Sequence, residues 1–182
     1  MLFRSKISSD EWVEIIKTAH TQGLPSTATI LFGHIETSQH VMNHLKRIRD
    51  LQRETGMITE FIPLLFMPDK TRLGKIIDKS MDRIEYAFKM IAVARLYFMN
   101  DIRNIQTSWV KLGWANALHS LSYGANDMSG TLYHENITRE AGGENGEYTP
   151  RKKFASEISA IGKIPVERDT VYSYQKTLAS TA

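Results

Sequence analysis

The fold of this chain is set by the stretch Thr27-Ala28-Thr29-Ile30-Leu31-Phe32-Gly33-His34-Ile35-Glu36-Thr37. Residues 27–32 are short, apolar and partly β-branched, which predicts a buried strand. Gly33 lets the backbone of the following turn approach a neighbour closely. Thr37 is a suitable N-cap for a helix that Gly56 ends. The apolar positions of that helix recur at helical spacing: Val41, Leu45, Ile48 and Leu51.

The same alternation of strand and helix continues on both sides of this unit. Upstream, Ser8 and Glu11 form a capping box for a helix that Gly23 ends. Downstream, the pattern predicts strands at 58–66 and 104–109, with helices at 81–99 and 111–123. Residues 125–130 are a poor strand by propensity but lie where a fourth strand is due. The predicted apolar positions of helix 81–99 include Ile84, Phe88, Ile91 and Leu96.

A final helix is predicted from Thr149, as its cap, with Pro150 at the first helical position. Its inward-facing positions are predicted to be Phe154, Ile158 and Ile161, and Gly162 ends it. The tail after Gly162 has no clear period.

This alternation predicts a parallel sheet with helices packed outside it. We expect an α/β fold in a single domain, residues 1–182, that corresponds to half of a (βα)8 barrel. It would contain about four βα units and a C-terminal helical tail. Chemistry gathers at the carboxyl ends of the strands in such barrels. An open α/β sandwich is the alternative.

Composition excludes several classes of function. The chain has 23 basic and 20 acidic residues, scattered rather than clustered, which does not favour nucleic acid as a partner. No apolar run approaches the ~20 residues of a membrane span, so a soluble cytoplasmic protein is expected. The absence of cysteine excludes disulfides and thiolate metal sites. His40 and His44 have a spacing that can hold zinc, but no third ligand is evident and we predict no metal site.

Two carboxylates and a histidine stand out in the first two βα units. Glu36 could accept hydrogen bonds from a ligand amino group, or could stabilise the helix N-terminus beside Thr37. Glu60 lies in an apolar strand and must be paired or face a polar cavity. For His34, a hydrogen bond within its own loop is favoured over contact with a ligand.

Polar side chains also gather on the last two predicted strands. Amide, hydroxyl and carboxylate groups of this kind suit a multiply hydroxylated or heterocyclic substrate. Turn formation is the alternative explanation, especially for residues 126–130. The candidates are Gln106, Ser108, Asn126, Asp127, Ser129 and Thr131.

Several motifs, in order, resemble one protein family: the C-terminal half of the tyrosine-using radical-SAM subunit of FO synthase (CofH). The resemblance covers essentially the whole chain. Futalosine-pathway enzymes of menaquinone synthesis share two of these patterns and are the alternative. The motifs are Thr27 to Thr37, Glu54-Thr55-Gly56, Thr59-Glu60-Phe61-Ile62-Pro63-Leu64, Asn104 to Gly113, Gly124 to Leu132 and Pro165-Val166-Glu167-Arg168-Asp169-Thr170.

The resemblance implies a reaction and its cofactors. The family uses S-adenosylmethionine and a [4Fe–4S] cluster on a CxxxCxxC loop. It joins the 4-hydroxybenzyl group of L-tyrosine to 5-amino-6-(D-ribitylamino)uracil, a step in the synthesis of the deazaflavin FO and coenzyme F-420. This chain has no cysteine. We therefore expect it to be inactive alone and to need an N-terminal half that carries CxxxCxxC. A sister radical-SAM subunit (CofG) is a further expected partner, and a non-catalytic fragment or binding module is the alternative.

The family's site residues can be carried over to matching positions. The resemblance places S-adenosylmethionine against Gly33, His34 and Glu36, with Ile62 and Pro63 lining its adenine. One departure is Ser129, which replaces the first glycine of the family's Gly-Gly-Thr-Leu run and is expected to crowd the site. The expected substrate-binding residues are Glu60, Gln106, Ser108, Asn126, Asp127 and Thr131.

Overall fold

Four chain segments run parallel and side by side at the centre of the protein. The computed structural model describes residues 6–77, 80–132, 135–143, 145 and 148–178. Strand β1 (Ser26–Phe32) pairs in parallel with β2 (Ile58–Leu65). A single parallel bridge joins Phe61 to Ile105, and another joins Gln106 to Asp127. The predicted third strand is therefore reduced to two isolated bridges, at Ile105 and Gln106, and the fourth to one, at Asp127.

Helices connect and cover these segments. The bounds are α1 Ser9–Thr21, α2 Ser38–Thr55, α3 Arg83–Phe98, α4 Trp109–Leu112, α5 Trp114–Ser120, α6 Asn136–Glu140 and α7 Arg151–Ala160. A short 3₁₀ turn, Leu73–Lys75, lies between β2 and α3. No helix among the described residues is long and apolar enough to cross a bilayer.

The predicted helix caps are confirmed where the sequence signal is local. Ser8 and Glu11 form the capping box of α1. Thr37 caps α2, with His40 as the second member of its box. Gly56 ends α2 in the left-handed conformation, φ 69°. Each of these residues acts on amides or carbonyls within four positions of itself, so no tertiary contact decides the outcome.

Two predictions about helix bounds were wrong. The helix predicted at 111–123 begins earlier, at Trp109, and is broken at Gly113, whose φ of 78° no helix can contain. At α7 the cap position is occupied by Pro150, in extended conformation, and not by Thr149. Proline has no N–H to orient and a fixed φ, so it can stand at the boundary itself.

The tail after Gly162 contains more structure than its sequence suggests. Strands β3 (Val166–Arg168) and β4 (Gln175–Thr177) form an antiparallel hairpin. Its turn is held by Asp169, whose carboxylate accepts from the amides of Ser173 and Tyr174 at 2.9 and 3.0 Å. The expected helical tail is therefore one helix followed by a hairpin.

One continuous apolar core lies between the sheet and the helices. The predicted stripe of α2 is wholly buried in it. Alternate residues of β1 (Ala28, Ile30 and Phe32) face the core, and we call this the core face of the sheet. Ile161 was predicted to face inward but is 44% exposed, and Leu96, an apolar residue of α3, is 75% exposed.

The opposite side of the sheet, here called the open face, carries the polar chemistry. It includes Thr29, Leu31, Glu60 and Ile62. The register of the β1–β2 pair shifts between Ser26 and Ala28, because β2 has one more residue there. Ile58 and Phe61 both reach the core as a result, and Glu60 is directed to the open face. Bulges commonly re-aim a side chain in this way beside functional sites.

The buried position of His20 predicts that the stability of this fold depends on pH. It is 4% exposed and lies 2.8 Å from Thr55 Oγ1 and 2.9 Å from Ser26 Oγ, so it joins α1, α2 and β1. Burial lowers the pKa of His20. The unfolded chain therefore binds more protons than the folded chain as pH falls below about 6.5.

We expect the free energy of unfolding to fall with pH below that value, and to fall less steeply in His20→Asn. Urea unfolding of both proteins at several pH values between 7.5 and 5 measures this. Parallel pH profiles for the two proteins would contradict the assignment.

Two polar clusters on the sheet

The first cluster is the turn after β1. The Glu36 carboxylate accepts from the amide of Gly33 at 2.5 Å and from that of His34 at 2.9 Å. Although burial favours the neutral form, these two hydrogen bonds lower the pKa of Glu36. Gly33 has φ 83°, and a Cβ there would lie 2.9 Å from Leu65 Cδ1. The Glu36 carboxylate therefore stabilises the turn that contains it, and the turn needs glycine at position 33.

His34 is also used inside this turn. Its Nδ1 accepts from the amide of Ile35 at 2.7 Å, and its Nε2 lies 3.1 Å from the carbonyl of Leu31. A carbonyl can only accept, so Nε2 is the donor in that contact. Its edge packs on Phe66. Both ring nitrogens already have protein partners.

Helix α3 supplies two residues that the sequence analysis did not select. The hydroxyl of Tyr86 donates to Glu36 at 3.2 Å. Burial, together with the Glu36 carboxylate, raises the pKa of Tyr86 to about 12. Arg83 donates to the carbonyl of Gly33 at 2.8 Å and to that of Phe66. The turn after β1 is thus fastened to the end of β2 and to the start of α3.

The second cluster lies on the open face. Glu60 and Asp127 are 4% and 8% exposed, and Gln106 donates from Nε2 to Glu60 Oε2 at 2.8 Å. Glu60 stands five residues before the end of β2, about 16 Å along the strand at the usual rise. The predicted site residues therefore form two groups rather than one.

Hairpin residues complete this second cluster. Arg168 donates from Nε to Asp127 Oδ2 at 2.7 Å and from Nη2 to Glu60 Oε2 at 3.3 Å. The hydroxyl of Tyr172 lies 2.8 Å from each of the same two oxygens. Although burial opposes the charge, the Asp127 carboxylate raises the pKa of Arg168. Glu60 is thus paired with an arginine of the hairpin.

Sequence reasoning assigned no role to Arg168 or Tyr172. Arg168 belongs to the Pro165–Thr170 motif that carried the resemblance, so a signal for it was present. No sequence signal pointed to Tyr172, because its hydrogen-bond partners Asp127 and Glu60 are 45 and 112 positions away in the chain.

The remaining candidates are separated from this cluster. Asn126 points to the other side: its Oδ1 accepts from the amide of Ile105 at 2.8 Å and from Arg95 at 2.7 Å. Ser108 stands at the N-cap of α4 without a side-chain cap bond. Ile62 shares the open face with Glu60, whereas Pro63 lies on the core face.

A cavity of about 610 Å³ adjoins the second cluster, between residues 125–131, α7 and the hairpin. Asp127, Arg168 and Tyr172 line one side of it, and Phe154 and Ile158 line another. Thr131 lies on its rim and is exposed. No group of three His, Cys, Asp or Glu side chains that could hold a metal ion occurs in the part of the chain that the structure describes.

Ser129 has a strained backbone conformation. Its φ is 67°, a region that costs a residue with a Cβ about 1–2 kcal/mol. We expect Ser129→Gly to raise the free energy of unfolding by about 1 kcal/mol, measured in urea. Ser122→Gly is the matched control: Ser122 is exposed and lacks a positive φ, so its replacement should give no gain. Equal effects of the two substitutions would rule out strain at Ser129.

Comparison with known proteins gives one consistent family. Residues 54–181 match the sequence model described as the CofH/MqnC C-terminal region. An Archaeoglobus fulgidus protein named 5-amino-6-(D-ribitylamino)uracil–L-tyrosine 4-hydroxyphenyl transferase is 46% identical over 168 residues, which cover 92% of this chain and 48% of that protein.

Two further relatives carry the same transferase name. The protein from Methanosarcina mazei is 42% identical, with 97% of this chain and 48% of the relative covered. The protein from Methanococcus aeolicus is 44% identical, with 93% and 47% covered. This chain spans about half the length of the curated relatives it matches.

Proposed function

Because this chain belongs to the CofH/MqnC C-terminal family, we propose that it is the substrate-binding half of a radical-SAM transferase. The reaction joins the 4-hydroxybenzyl group of L-tyrosine to 5-amino-6-(D-ribitylamino)uracil, on the path to FO and coenzyme F-420. Relatives at 42–46% identity carry the corresponding transferase name.

The observation that carries this proposal is the buried cluster of Glu60, Gln106 and Asp127 on the open face. Carboxylates accept hydrogen bonds from amino groups, and both proposed substrates have amino groups. A carboxamide both donates and accepts hydrogen bonds, so it can pair with the oxygen- and nitrogen-bearing edge of a uracil. The adjoining cavity of about 610 Å³ has the size of a small-molecule site.

We further propose that residues 1–182 form half of a (βα)8 barrel in one domain. Strand β1 pairs on the β2 side alone among the described residues. On its open face Leu31 is 49% exposed, and Ile35 in the next turn is 62% exposed. Unpaired strand edges and exposed apolar side chains are what a missing neighbour would cover. The natural neighbour is the N-terminal half of the relatives, which this sequence does not span.

The iron–sulfur cluster does not fit this chain, because the sequence has no cysteine to ligate it. The proposed source is the CxxxCxxC loop of that N-terminal half. S-adenosylmethionine fits better: Leu31 and Ile62 present apolar side chains on the open face, which suit the flat face of an adenine. Bound there, the cofactor would supply radical chemistry, while this chain binds, orients and shields the substrates.

Inside the first cluster, Gly33, His34 and Glu36 hold the shape of the turn beside the proposed cofactor position. Their amides and imidazole are already hydrogen-bonded to one another or to nearby backbone. We therefore assign them to positioning of the turn. The product would pass to a sister radical-SAM subunit (CofG), which closes the deazaflavin ring.

The direct test is reconstitution. The chain is produced together with the N-terminal half of a relative, the cluster is rebuilt without oxygen, and both substrates are supplied with S-adenosylmethionine. We expect coupled product from the pair and none from either half alone. A menaquinone-pathway substrate in parallel tests the alternative branch, because the family description also names MqnC. Turnover of that substrate, together with no turnover of tyrosine and the diamine, would contradict the proposal.

A further inference from the structure

The hairpin closes over the second cluster through two side chains. Arg168 and Tyr172 both reach the carboxylates of Glu60 and Asp127. A separate contact, from Arg151 to Glu167 at 2.6 Å, ties the hairpin to α7. Elsewhere in the hairpin strands, Val166 and Gln175 to Thr177 are exposed and Glu167 is half-buried. The hairpin is thus a surface element with two side chains directed into a buried site.

The hydrogen bonds of Tyr172 are incomplete. Its Oη lies 2.8 Å from Glu60 Oε2 and 2.8 Å from Asp127 Oδ2. A phenol has one proton, so one of these two oxygens receives no hydrogen from it. Burial, with the Asp127 carboxylate, raises the pKa of Tyr172, so the phenol does not ionise to relieve the contact.

The cluster has one cation for two acidic side chains. Arg168 lies against the carboxyl groups of both Glu60 and Asp127. Gln106 contributes a hydrogen bond and no charge. Buried carboxyl oxygens need hydrogen-bond donors, and a group with more donors or a positive charge would satisfy them better than a phenol.

The backbone of Tyr172 is strained as well. Its φ of 60° lies in the left-handed region, which is unfavourable for a bulky aromatic residue. Its ring packs against Arg168, with the guanidinium 4.5 Å from the ring centre. A strained residue that only half satisfies its partners can be displaced at low cost.

We propose that Tyr172 is a placeholder in the substrate site. Its phenol occupies the position of a substrate amino group, which displaces it and then donates to both Glu60 and Asp127. Arg168 stays and acts as a positioning residue that holds the two carboxylates together. This inference rests on the proposed function, because it takes the amino group from L-tyrosine or from the ribitylaminouracil diamine.

The test compares Tyr172→Phe with the unmodified chain, each paired with the N-terminal half. Calorimetry measures the dissociation constants of L-tyrosine, of the diamine, and of 3-(4-hydroxyphenyl)propanoate, which lacks the amino group. We expect Tyr172→Phe to tighten binding of the amino ligand about fivefold, because one competing hydrogen bond is gone. Binding of the ligand without an amino group should not change. In turnover, KM should fall with kcat within twofold.

Tyr174→Phe is the matched control, because Tyr174 lies on the same turn and is 52% exposed. Tighter binding of L-tyrosine alone, or of the diamine alone, supports the proposal and identifies the source of the amino group. Unchanged or weaker binding in Tyr172→Phe, while the unmodified pair binds both ligands, overturns the placeholder and leaves the proposed function standing. If the unmodified pair binds neither ligand, the proposed function fails and this inference fails with it.

Discussion

Replacing Arg168 by methionine is expected to lower the free energy of unfolding of this chain by about 3–5 kcal/mol, the usual cost of removing one member of a buried ion pair. Glu60 and Asp127 would be left close together without their cation, and their side chains are 5% and 7% exposed. Methionine keeps most of the length of the arginine stem, so the loss reports on charge rather than on packing. Urea unfolding at pH 7 measures the difference.

Arg151→Met is the matched control. Arg151 also pairs with a carboxylate of the hairpin region, Glu167, but its side chain is 66% exposed. Exposed pairs contribute about 0–1 kcal/mol, so this substitution should have little effect. Adding Asp127→Asn to Arg168→Met should recover part of the loss, because one of the two acidic groups that lost their cation is then removed. A loss for Arg168→Met no larger than that for Arg151→Met would show that the buried cluster does not depend on its cation.

Local signals in the sequence predicted local structure well. Ser8, Thr37 and Gly56 act on neighbouring backbone groups, and the structure confirms all three. The third and fourth strands were harder to predict from the sequence. Residues 104–109 and 125–130 have little regular pairing, because their backbone groups are shared with side chains such as Asn126, which accepts from the amide of Ile105. Hydrophobic periodicity does not show where a side chain takes the place of a backbone partner in the hydrogen-bond pattern of a sheet.

The composition of the site could be predicted only in part. Glu60 stood out because a charge in an apolar strand must have a partner, and the structure supplies Arg168. The identity of that partner could not be derived from the pattern, since the two residues are 108 positions apart. The hairpin that brings them together has two three-residue strands, too short for a detectable period of two. Tertiary contact decides this part of the molecule.

Phe61→Ala is expected to cost about 3–5 kcal/mol, the range for truncating a buried aromatic residue. Phe61 has no exposed surface, and its ring packs edge-on against Phe98 with centroids 4.9 Å apart. Its backbone carbonyl accepts from the amide of Gln106 at 3.0 Å, so it joins two of the parallel segments. The cavity left by the substitution would lie directly behind Glu60. We therefore expect weaker substrate binding in the reconstituted pair in addition to lower stability in urea.

Leu96→Ala is the control for this prediction. Leu96 is one of the apolar positions of the helix predicted at 81–99, and it is 75% exposed. An exposed leucine has little transfer free energy to lose, so the expected change is within about 0.5 kcal/mol. The comparison tests the effect of burial, because both residues are large and apolar but Phe61 is buried and Leu96 is exposed. If Leu96→Ala destabilised the isolated chain as much as Phe61→Ala, Leu96 would be buried, and the packing of α3 would differ from the structure.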